Sequence, residues 1–496
     1  MKKVNLLAAA VLAAAFAMPA QANYTPNAYF GGYFRSGVMN KHFNKTDDLV
    51  HRVGRLGAEN DTYGEIFLGA DVATVDDTVW TVNSRLAVSA QYNRDWQSTD
   101  NWNGNLSKND KGEYSFNKNT NNTENFRIAL REFNLNVKGI FDWDKDASLW
   151  AGKRFYHRED LHITDMYYYD ISGMGAGIEN VSLADGKLSV AWLRRDDSAS
   201  YKSNFDGTSV TVDGGKPEFA SVHMIDVQYD HALWDGANLE LRGTYFIPQR
   251  DTNDNAKQWY SATADYDNAQ LFAAELTQGF SAGWNKTVVQ FAHGSNVKWG
   301  AFGTPAWLDT DGDSNHAYRW TLINTGDIHF TPDFGLNHVF YASYASGYDN
   351  NVFFNAKNAD QYAGKRKSDT SVQLVVRPYY RLTKMTRLYV EAGFYAATEK
   401  NYTYDSKYDV FGTANTTSQG QKYTLAYAIT PDAGNFWSRP ELRFFVTYLH
   451  GNENGQDFSS FGSVGGKLVQ DGQTIAQYSN TKTSNTLFGV QAEAWW

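Results

Sequence analysis

The 496-residue sequence contains no cysteine, only nine prolines and, after its first 22 residues, no long apolar run. The absence of cysteine excludes disulfide scaffolds and metal sites built from thiolates. A membrane helix needs about 20 consecutive apolar residues, so the missing runs exclude a helical membrane protein. Clusters of Lys and Arg are also missing, and the net charge is −10, which argues against nucleic acid as a partner.

Aromatic residues are abundant instead, with 31 Tyr, 30 Phe and 15 Trp in a chain whose mean hydropathy is −0.54. Apolar and polar residues alternate with a period of two in many segments, among them 239–245, 371–381, 387–396, 442–448 and 488–496. This alternation, together with the low proline content, predicts a chain made largely of β-strands.

The N-terminus has the three parts of a secretory signal peptide. Lys2 and Lys3 are its positive end, Leu6 to Met18 is an apolar stretch too short to span a bilayer, and Ala20-Gln21-Ala22 is a small-x-small cleavage site. A buried N-terminal helix is the alternative. The sequence therefore predicts a signal peptide over 1–22 and a mature chain over 23–496, in which no domain boundary is visible.

Two architectures fit the alternating strands: a soluble sandwich with its apolar faces inside, and a membrane barrel with its apolar faces in lipid. Arg and Glu on the polar faces, and Trp496 in phase with the last apolar face, favour the barrel. Short linkers such as 144–146 also alternate with long polar ones such as 97–127, 350–370 and 450–485. At about 10 residues per strand, we expect an all-β antiparallel barrel of roughly 16–18 strands in a Gram-negative outer membrane.

Segment 150–177 is the densest polar and aromatic part of the chain, and it lacks a clean alternation. Its polar and aromatic residues are Arg154, Arg158, Glu159, Asp160, His162, Asp165, Tyr167, Tyr168, Tyr169 and Asp170. A loop folded in at a pore constriction and a solvated external loop both fit this composition. A hydrolytic site lacks a serine nucleophile elbow, and residues 309–313 match a calcium loop poorly. We therefore expect no enzyme activity, metal or cofactor.

Several motifs together resemble those of the maltoporins, the carbohydrate-selective porins of the Gram-negative outer membrane. Residues 33–37 and 55–65 resemble the first two strands, with Arg55-Leu56-Gly57 counted in the second. Segment 150–180 resembles the third loop, and residues 436–440 and the ending Trp495-Trp496 complete the match. The resemblance implies an 18-stranded homotrimeric barrel with an inward-folded third loop.

The resemblance also implies a sugar path with an aromatic slide beside a polar track. The slide residues are Tyr33, Tyr63, Trp96, Trp284, Trp437 and Trp495. The polar track and constriction residues are Arg35, Arg55, Glu65, Arg131, Arg158, Asp160, His162, Asp165 and Tyr167. Trp96 matches a residue that reaches into a neighbouring subunit, although the linker after it is longer than usual. Trp284 stands where the family usually has Phe.

Arg158, Tyr167 and Asp170 keep the maltoporin types rather than those of sucrose porins, which favours maltose and maltodextrins as substrates. The alternatives are a porin for another oligosaccharide such as sucrose or a β-glucoside, a general diffusion porin and an outer-membrane hydrolase. Further partners that the resemblance implies are membrane lipid and lipopolysaccharide, a periplasmic sugar-binding protein and phage.

Overall fold

The computed structural model describes most of the chain after the predicted signal peptide, which itself lies outside the described residues and stays a prediction. The described residues are 27–40, 51–90, 104–108, 114–118, 126–198, 203–205, 210–212, 219–249, 268–297, 315–349, 366–405, 410–451, 466–470, 473–477 and 483–496. In these ranges no helix is both long and apolar enough to cross a membrane.

Eighteen of the described strands form one closed antiparallel barrel, as predicted. They are β1 (Asn27–Met39), β2 (Thr62–Val75), β3 (Thr78–Ala90), β4 (Phe126–Lys138), β5 (Ser148–Arg154), β6 (Gly173–Leu183), β7 (Gly186–Ser198), β8 (Phe219–Trp234), β9 (Ala237–Gln249), β10 (Ala269–Phe280), β11 (Gly283–His293), β12 (Tyr318–Thr331), β13 (Phe334–Asp349), β14 (Arg366–Arg381), β15 (Thr386–Asp405), β16 (Val410–Ile429), β17 (Glu441–Gly451) and β18 (Thr483–Trp495). Each strand pairs with the next along the chain, and β18 returns to pair with β1, where Tyr33 lies opposite Trp495. Closure leaves the barrel without an unpaired edge.

The two faces of the strands decide between the two predicted architectures. In β17, Leu442, Phe444 and Val446 are 39%, 44% and 54% exposed, whereas Arg443 and Thr447 on the other face are buried. The same inversion recurs in β15, where Val390 is exposed and Glu391 is buried. A soluble sandwich would bury the apolar face. The exposed apolar face is therefore the one that meets lipid, and the polar face points into the barrel.

The connections differ in length at the two ends of the barrel. At one end they are short, such as residues 76–77, 184–185 and 332–333, and the predicted turn at 144–146 lies here. Long segments, including 40–61 and 155–172, leave the other end, which is the extracellular end in barrels of this kind. One prediction is wrong: Arg55-Leu56-Gly57 does not belong to the second strand, because β2 begins only at Thr62.

Two of these long segments pack against the inward polar face and supply much of the buried interior. Segment 51–61 buries Leu56 and Ala58 completely, and segment 155–171 buries Ile163 and Tyr169 completely. Phe436, from the 430–440 connection at the short-turn end, is also fully buried. The packed core of this protein therefore lies inside the barrel, between the wall and these segments.

Candidate functional site

Segment 155–171 lies in the connection between β5 and β6 and is hydrogen-bonded to the inward side of β9–β11. In it, Glu159–Leu161 pairs with Met166–Tyr169 around a 3-10 turn at His162–Thr164. The Tyr168 hydroxyl donates to Glu275 Oε2 at 2.6 Å, and the Tyr169 hydroxyl lies 2.6 Å from the Thr244 hydroxyl. Gln290 Nε2 donates to the Tyr168 carbonyl at 2.9 Å. These contacts anchor one side of the segment.

The opposite side of segment 155–171 contacts β1 and segment 51–61. Asp165 accepts from Arg35 Nη1 at 2.9 Å, and the Arg55 backbone N–H donates to the Ile163 carbonyl at 2.9 Å. Arg35 lies in β1, whereas the anchors above lie in β9–β11. The contacts of this single segment therefore connect distant parts of the barrel wall, and they support the predicted inward-folded loop.

Four of the six predicted slide aromatics lie next to one another. The rings of Tyr63 and Tyr33 have centroids 6.0 Å apart, and Tyr33 is the cross-strand partner of Trp495. Trp495 lies 6.5 Å from Trp437, and the His162 ring is 5.7 Å from Trp495 and 5.0 Å from Trp437. The wall thus presents a row of aromatic residues that runs from β2 across β1 and β18 to the 430–440 connection.

The other two predicted slide residues, Trp284 and Trp96, are not seen in this row. Trp284 lies on the inward face of β11, in phase with the buried Val288 and Gln290, but its Cα partners are Gly279 and Asp327 rather than a slide residue. Trp96 lies outside the described residues. The structure therefore brings four slide candidates together and places a fifth elsewhere on the inward face.

Arg35 and Arg55 form the centre of a dense ionic network beside the aromatic row. Arg35 binds both oxygens of Asp61 at 3.0 Å and also contacts Glu59 at 3.1 Å. Arg55 Nη2 lies 2.9 Å from Glu493 and donates to the Tyr33 hydroxyl at 3.0 Å. Because guanidinium and carboxylate groups alternate here, fixed donors and acceptors lie close to the aromatic rings without one sign of charge dominating.

A second group of predicted residues surrounds Arg158. Its guanidinium lies 4.1 Å from the ring centroid of Tyr167 and 4.2 Å from that of Phe155, and it is 4.0 Å from Glu65 Oε1. Arg131 covers Phe155 as well, at 4.9 Å. Stacking of this kind fixes the plane of each guanidinium, so that its N–H groups point in a defined direction.

The surroundings of segment 155–171 shift the pKa values of its titratable side chains. Enclosure by the protein and the neighbouring Asp165 raise the pKa of Asp160, whose side chain remains accessible to solvent. Burial also acts to raise the pKa of Asp165, but Arg55 and Arg35 outweigh it and lower that pKa. Burial, together with Arg55, holds the pKa of His162 well below its usual value. His162 is therefore neutral at neutral pH and packs as an aromatic ring.

Sequence reasoning missed several residues that hold the site together. Glu493 is fully buried and accepts from Tyr33 at 3.1 Å and from Arg439 at 2.9 Å, besides its contacts with Arg55 and Arg443. Glu59 and Asp61, the carboxylate partners of Arg35, were not predicted as site residues either. Both residues lie in the 55–65 motif that resembles the maltoporins, where Glu59 was named as part of the match but was given no role at the site.

Comparison with known proteins agrees with this geometry. A family model described as LamB porin matches residues 28–496. Maltoporin 1 of Klebsiella pneumoniae is 31% identical over 497 residues, covering 99% of this chain and 98% of its own. Maltoporin 2 of Yersinia pestis is 32% identical over 470 residues, covering 94% and 93%.

Solved structures resemble the chain less closely. OccD3 of Pseudomonas aeruginosa has a TM-score of 0.41 at 10% identity and covers 95% of this chain and 91% of its own. An 18-stranded barrel with an apolar outward face is a multi-pass structure of the Gram-negative outer membrane. The protein is a channel rather than an enzyme. By the match of the family model and the identity of its relatives, the chain belongs to the LamB porin family.

Proposed function

We propose that this porin carries maltose and maltodextrins across the outer membrane by facilitated diffusion. The observation that carries the proposal is the row of Tyr63, Tyr33, Trp495 and Trp437 beside the ionic network of Arg35 and Arg55. No chemical step and no energy source is needed, because the sugar moves down its own gradient.

The row suits the chemistry of a pyranose. A sugar ring has an apolar face of C–H groups, which packs against an aromatic plane, and a rim of hydroxyl groups, which hydrogen-bonds to charged side chains. The rings of Tyr63 and Tyr33 are 6.0 Å apart and those of Trp495 and Trp437 are 6.5 Å apart, so neighbouring sugar units can stack on neighbouring rings. Each single contact stays weak, as conduction requires, because a channel must release what it binds.

Segment 155–171 is proposed to narrow the lumen beside this row. Its contacts with β1 on one side and with β9–β11 on the other support this role. Arg158, Tyr167 and Asp160 would then face the passing sugar hydroxyls. The maltodextrin preference rests on the maltoporin types of Arg158, Tyr167 and Asp170 and on the relatives named maltoporin.

The test is a titration of the ion current through single channels in a planar lipid bilayer. We expect maltohexaose to block the current saturably and at lower concentration than sucrose or cellobiose. Tighter block by sucrose or cellobiose would assign another oligosaccharide. Absence of block by any sugar would leave a general diffusion porin and contradict the proposal.

We further propose that three copies of the chain associate, as the maltoporin resemblance implies. The porin extracted in mild detergent should migrate as a trimer on a gel without heating and as a monomer after boiling. A single species at the monomer position in both lanes would contradict the proposal. Trp96, the residue expected to reach into a neighbour, lies outside the described residues.

A further inference from the structure

A second pair of aromatic rings lies on the inward face of β1 and β2, apart from the aromatic row of the proposed sugar path. Tyr29 is in phase with Tyr33 in β1, and Phe67 is in phase with Tyr63 in β2. The rings of Tyr29 and Phe67 are stacked, with centroids 5.8 Å apart and planes inclined by 27°. The predicted slide residues include neither ring, so the pair has no role in the path as proposed.

The Tyr29 ring lies over the backbone of β2 because position 69 is a glycine. Tyr29 and Gly69 are cross-strand partners, and a Cβ at Gly69 would collide with Cε2 and Cζ of the Tyr29 ring. The Tyr29 hydroxyl donates to Asn83 Oδ1 at 3.2 Å, which fixes the far end of the ring. One side of the ring therefore covers the wall, and its exposed part, which makes Tyr29 37% exposed, faces the lumen.

The Phe67 ring is held from the side of β3. The guanidinium of Arg85 lies 5.2 Å from the centroid of this ring, and Arg85 Nη1 in turn donates to Glu65 Oε2 at 2.9 Å. In β1 the cross-strand partner of Phe67 is Gly31, which has no side chain to cover the ring. The two rings are thus held in place by the wall itself, and a molecule that stacks on them has no surface to order first.

Polar groups surround the aromatic pair. Asp71 accepts from the Thr81 hydroxyl at 2.8 Å and from Asn27 Nδ2 at 3.4 Å, and Asn83 Nδ2 donates to Asn134 Oδ1 at 3.2 Å. Asn27 is exposed, and Asp71, Thr81 and Asn83 are only partly buried. Carboxylate, hydroxyl and amide groups beside aromatic rings are what a pyranose requires, since its hydroxyl rim and its C–H face are bound by different groups.

The pair lies between the aromatic row and the short-turn end of the barrel. Tyr29 is the third residue of β1, whose other end leads into the long segment 40–61. Four residues separate Tyr29 from Tyr33, which is about 13 Å along a strand. Asp71 lies four residues before the end of β2, close to the turn at 76–77. The short-turn end is the periplasmic end in barrels of this kind, so the pair lies near the periplasmic mouth.

We propose that Tyr29 and Phe67 form a second pyranose site, on which an oligosaccharide stacks as it passes between the aromatic row and the periplasm. The proposal rests on the proposed function, because it takes the passing solute to be a sugar. A channel with several weak sites conducts by stepwise exchange. A site at one mouth changes entry and release through that mouth by the same factor, because it leaves the affinity of the row itself unchanged.

The test is the association rate of maltohexaose, taken from single-channel current fluctuations of porins inserted in one orientation, with sugar on one side at a time. We expect Tyr29→Ala/Phe67→Ala to lower the rate from the periplasmic side about threefold or more, because the stacking surface at that mouth is lost. The rate from the extracellular side should stay unchanged. Phe30→Ala is the matched control, since it removes an exposed ring from the outward face of β1.

Gly69→Ala tests the same site without removing an aromatic ring. The added methyl group displaces the Tyr29 ring, so the periplasmic rate should fall as it does in Tyr29→Ala. In a chain that already carries Tyr29→Ala, Gly69→Ala should have no further effect, because the two changes act through one ring. An additive loss would contradict the position assigned to the Tyr29 ring.

The outcomes separate this proposal from the proposed function. An unchanged periplasmic rate in the double variant, an equal fall from both sides, or an equal fall in Phe30→Ala would overturn the second site and leave the aromatic row in place. Absence of block of the wild type from either side would overturn both. Unchanged open-channel conductance and heat-modifiability on gels establish that the variants are folded.

Discussion

Replacing Trp495 by alanine is expected to weaken the block of ion current by maltohexaose about tenfold or more, because burying a large apolar side chain against a partner contributes about 1.5–3 kcal/mol. Trp495 is the central ring of the row: it lies opposite Tyr33 and 6.5 Å from Trp437. Its removal interrupts the row between these two rings. The measurement is the half-blocking sugar concentration in a single-channel bilayer recording.

The chain provides a control of the same residue type at the next position. Trp496 is 55% exposed on the lipid-facing side and packs 5.7 Å from Phe30. Trp496→Ala should leave the half-blocking concentration unchanged, although it can reduce barrel stability. Equal loss of sugar affinity in both variants, or in neither, would contradict the aromatic row as the sugar path.

Replacing Lys422 by methionine is expected to release segment 51–61 from the barrel wall. The buried Lys422 Nζ donates to the carbonyls of Gly54 and Leu56, both at 2.6 Å, and contacts Glu391 at 2.5 Å. Without the ammonium, the buried carbonyls of Gly54 and Leu56 lose this donor, which costs about 1–3 kcal/mol each, whereas Glu391 keeps Arg377 as its cationic partner. We expect a higher open-channel conductance and weaker maltohexaose block, because Arg55 and Glu59 move with the segment.

Two further variants test whether the contacts of Lys422 with segment 51–61 and Glu391 cause these effects. Lys384→Met removes a charge from a short turn at the other end and should change neither conductance nor block. Lys422→Met with Glu391→Gln also leaves the buried Arg377 without its carboxylate, so its melting temperature should fall below that of the single variant while its conductance stays high. A single variant with the conductance and thermal stability of the wild type would refute a supporting role for Lys422.

The barrel could be predicted from the sequence because the alternation of its side chains is a local pattern. A period of two puts alternate side chains on opposite faces, so residues 442–448 reveal both faces of β17 without knowledge of its neighbours. The inversion of faces relative to a soluble sandwich followed from the Arg and Glu on the polar side. The strand count came from the maltoporin resemblance, since composition alone left a range.

The interior could be predicted only in part, because it depends on contacts between residues far apart in the sequence. The Leu56 N–H donates to Glu391, which lies 335 residues later in the sequence. No local sequence pattern predicts such a pair. Gly54 and Gly57 have positive φ, and a Cβ at either position would collide with Glu391 or Thr447. From the sequence, segment 51–61 therefore resembles part of a strand or an ordinary loop. In the structure it packs inside the barrel against the wall.

The ionic centre at Glu493 was missed for the same reason. The alternation of β18 correctly put Glu493 and Trp495 on the polar face. The alternation does not show that Arg55 and the neighbouring Arg439 and Arg443, from two distant parts of the chain, converge on one carboxylate. The resemblance supplied Arg55 and Trp495 by motif, and it supplied no partner for either.

The pairing of β1 with β18 has a consequence for biogenesis. Tyr33 and Trp495 come from the first and last strands, so the two halves of the aromatic row meet only where the chain ends are joined. An incomplete barrel that lacks its last strand has neither Trp495 nor Glu493, so Tyr33 and Trp437 are not joined into one row. The complete row, and with it the proposed sugar affinity, therefore forms only in the last step of assembly, so that block by maltohexaose would show that β18 has paired with β1.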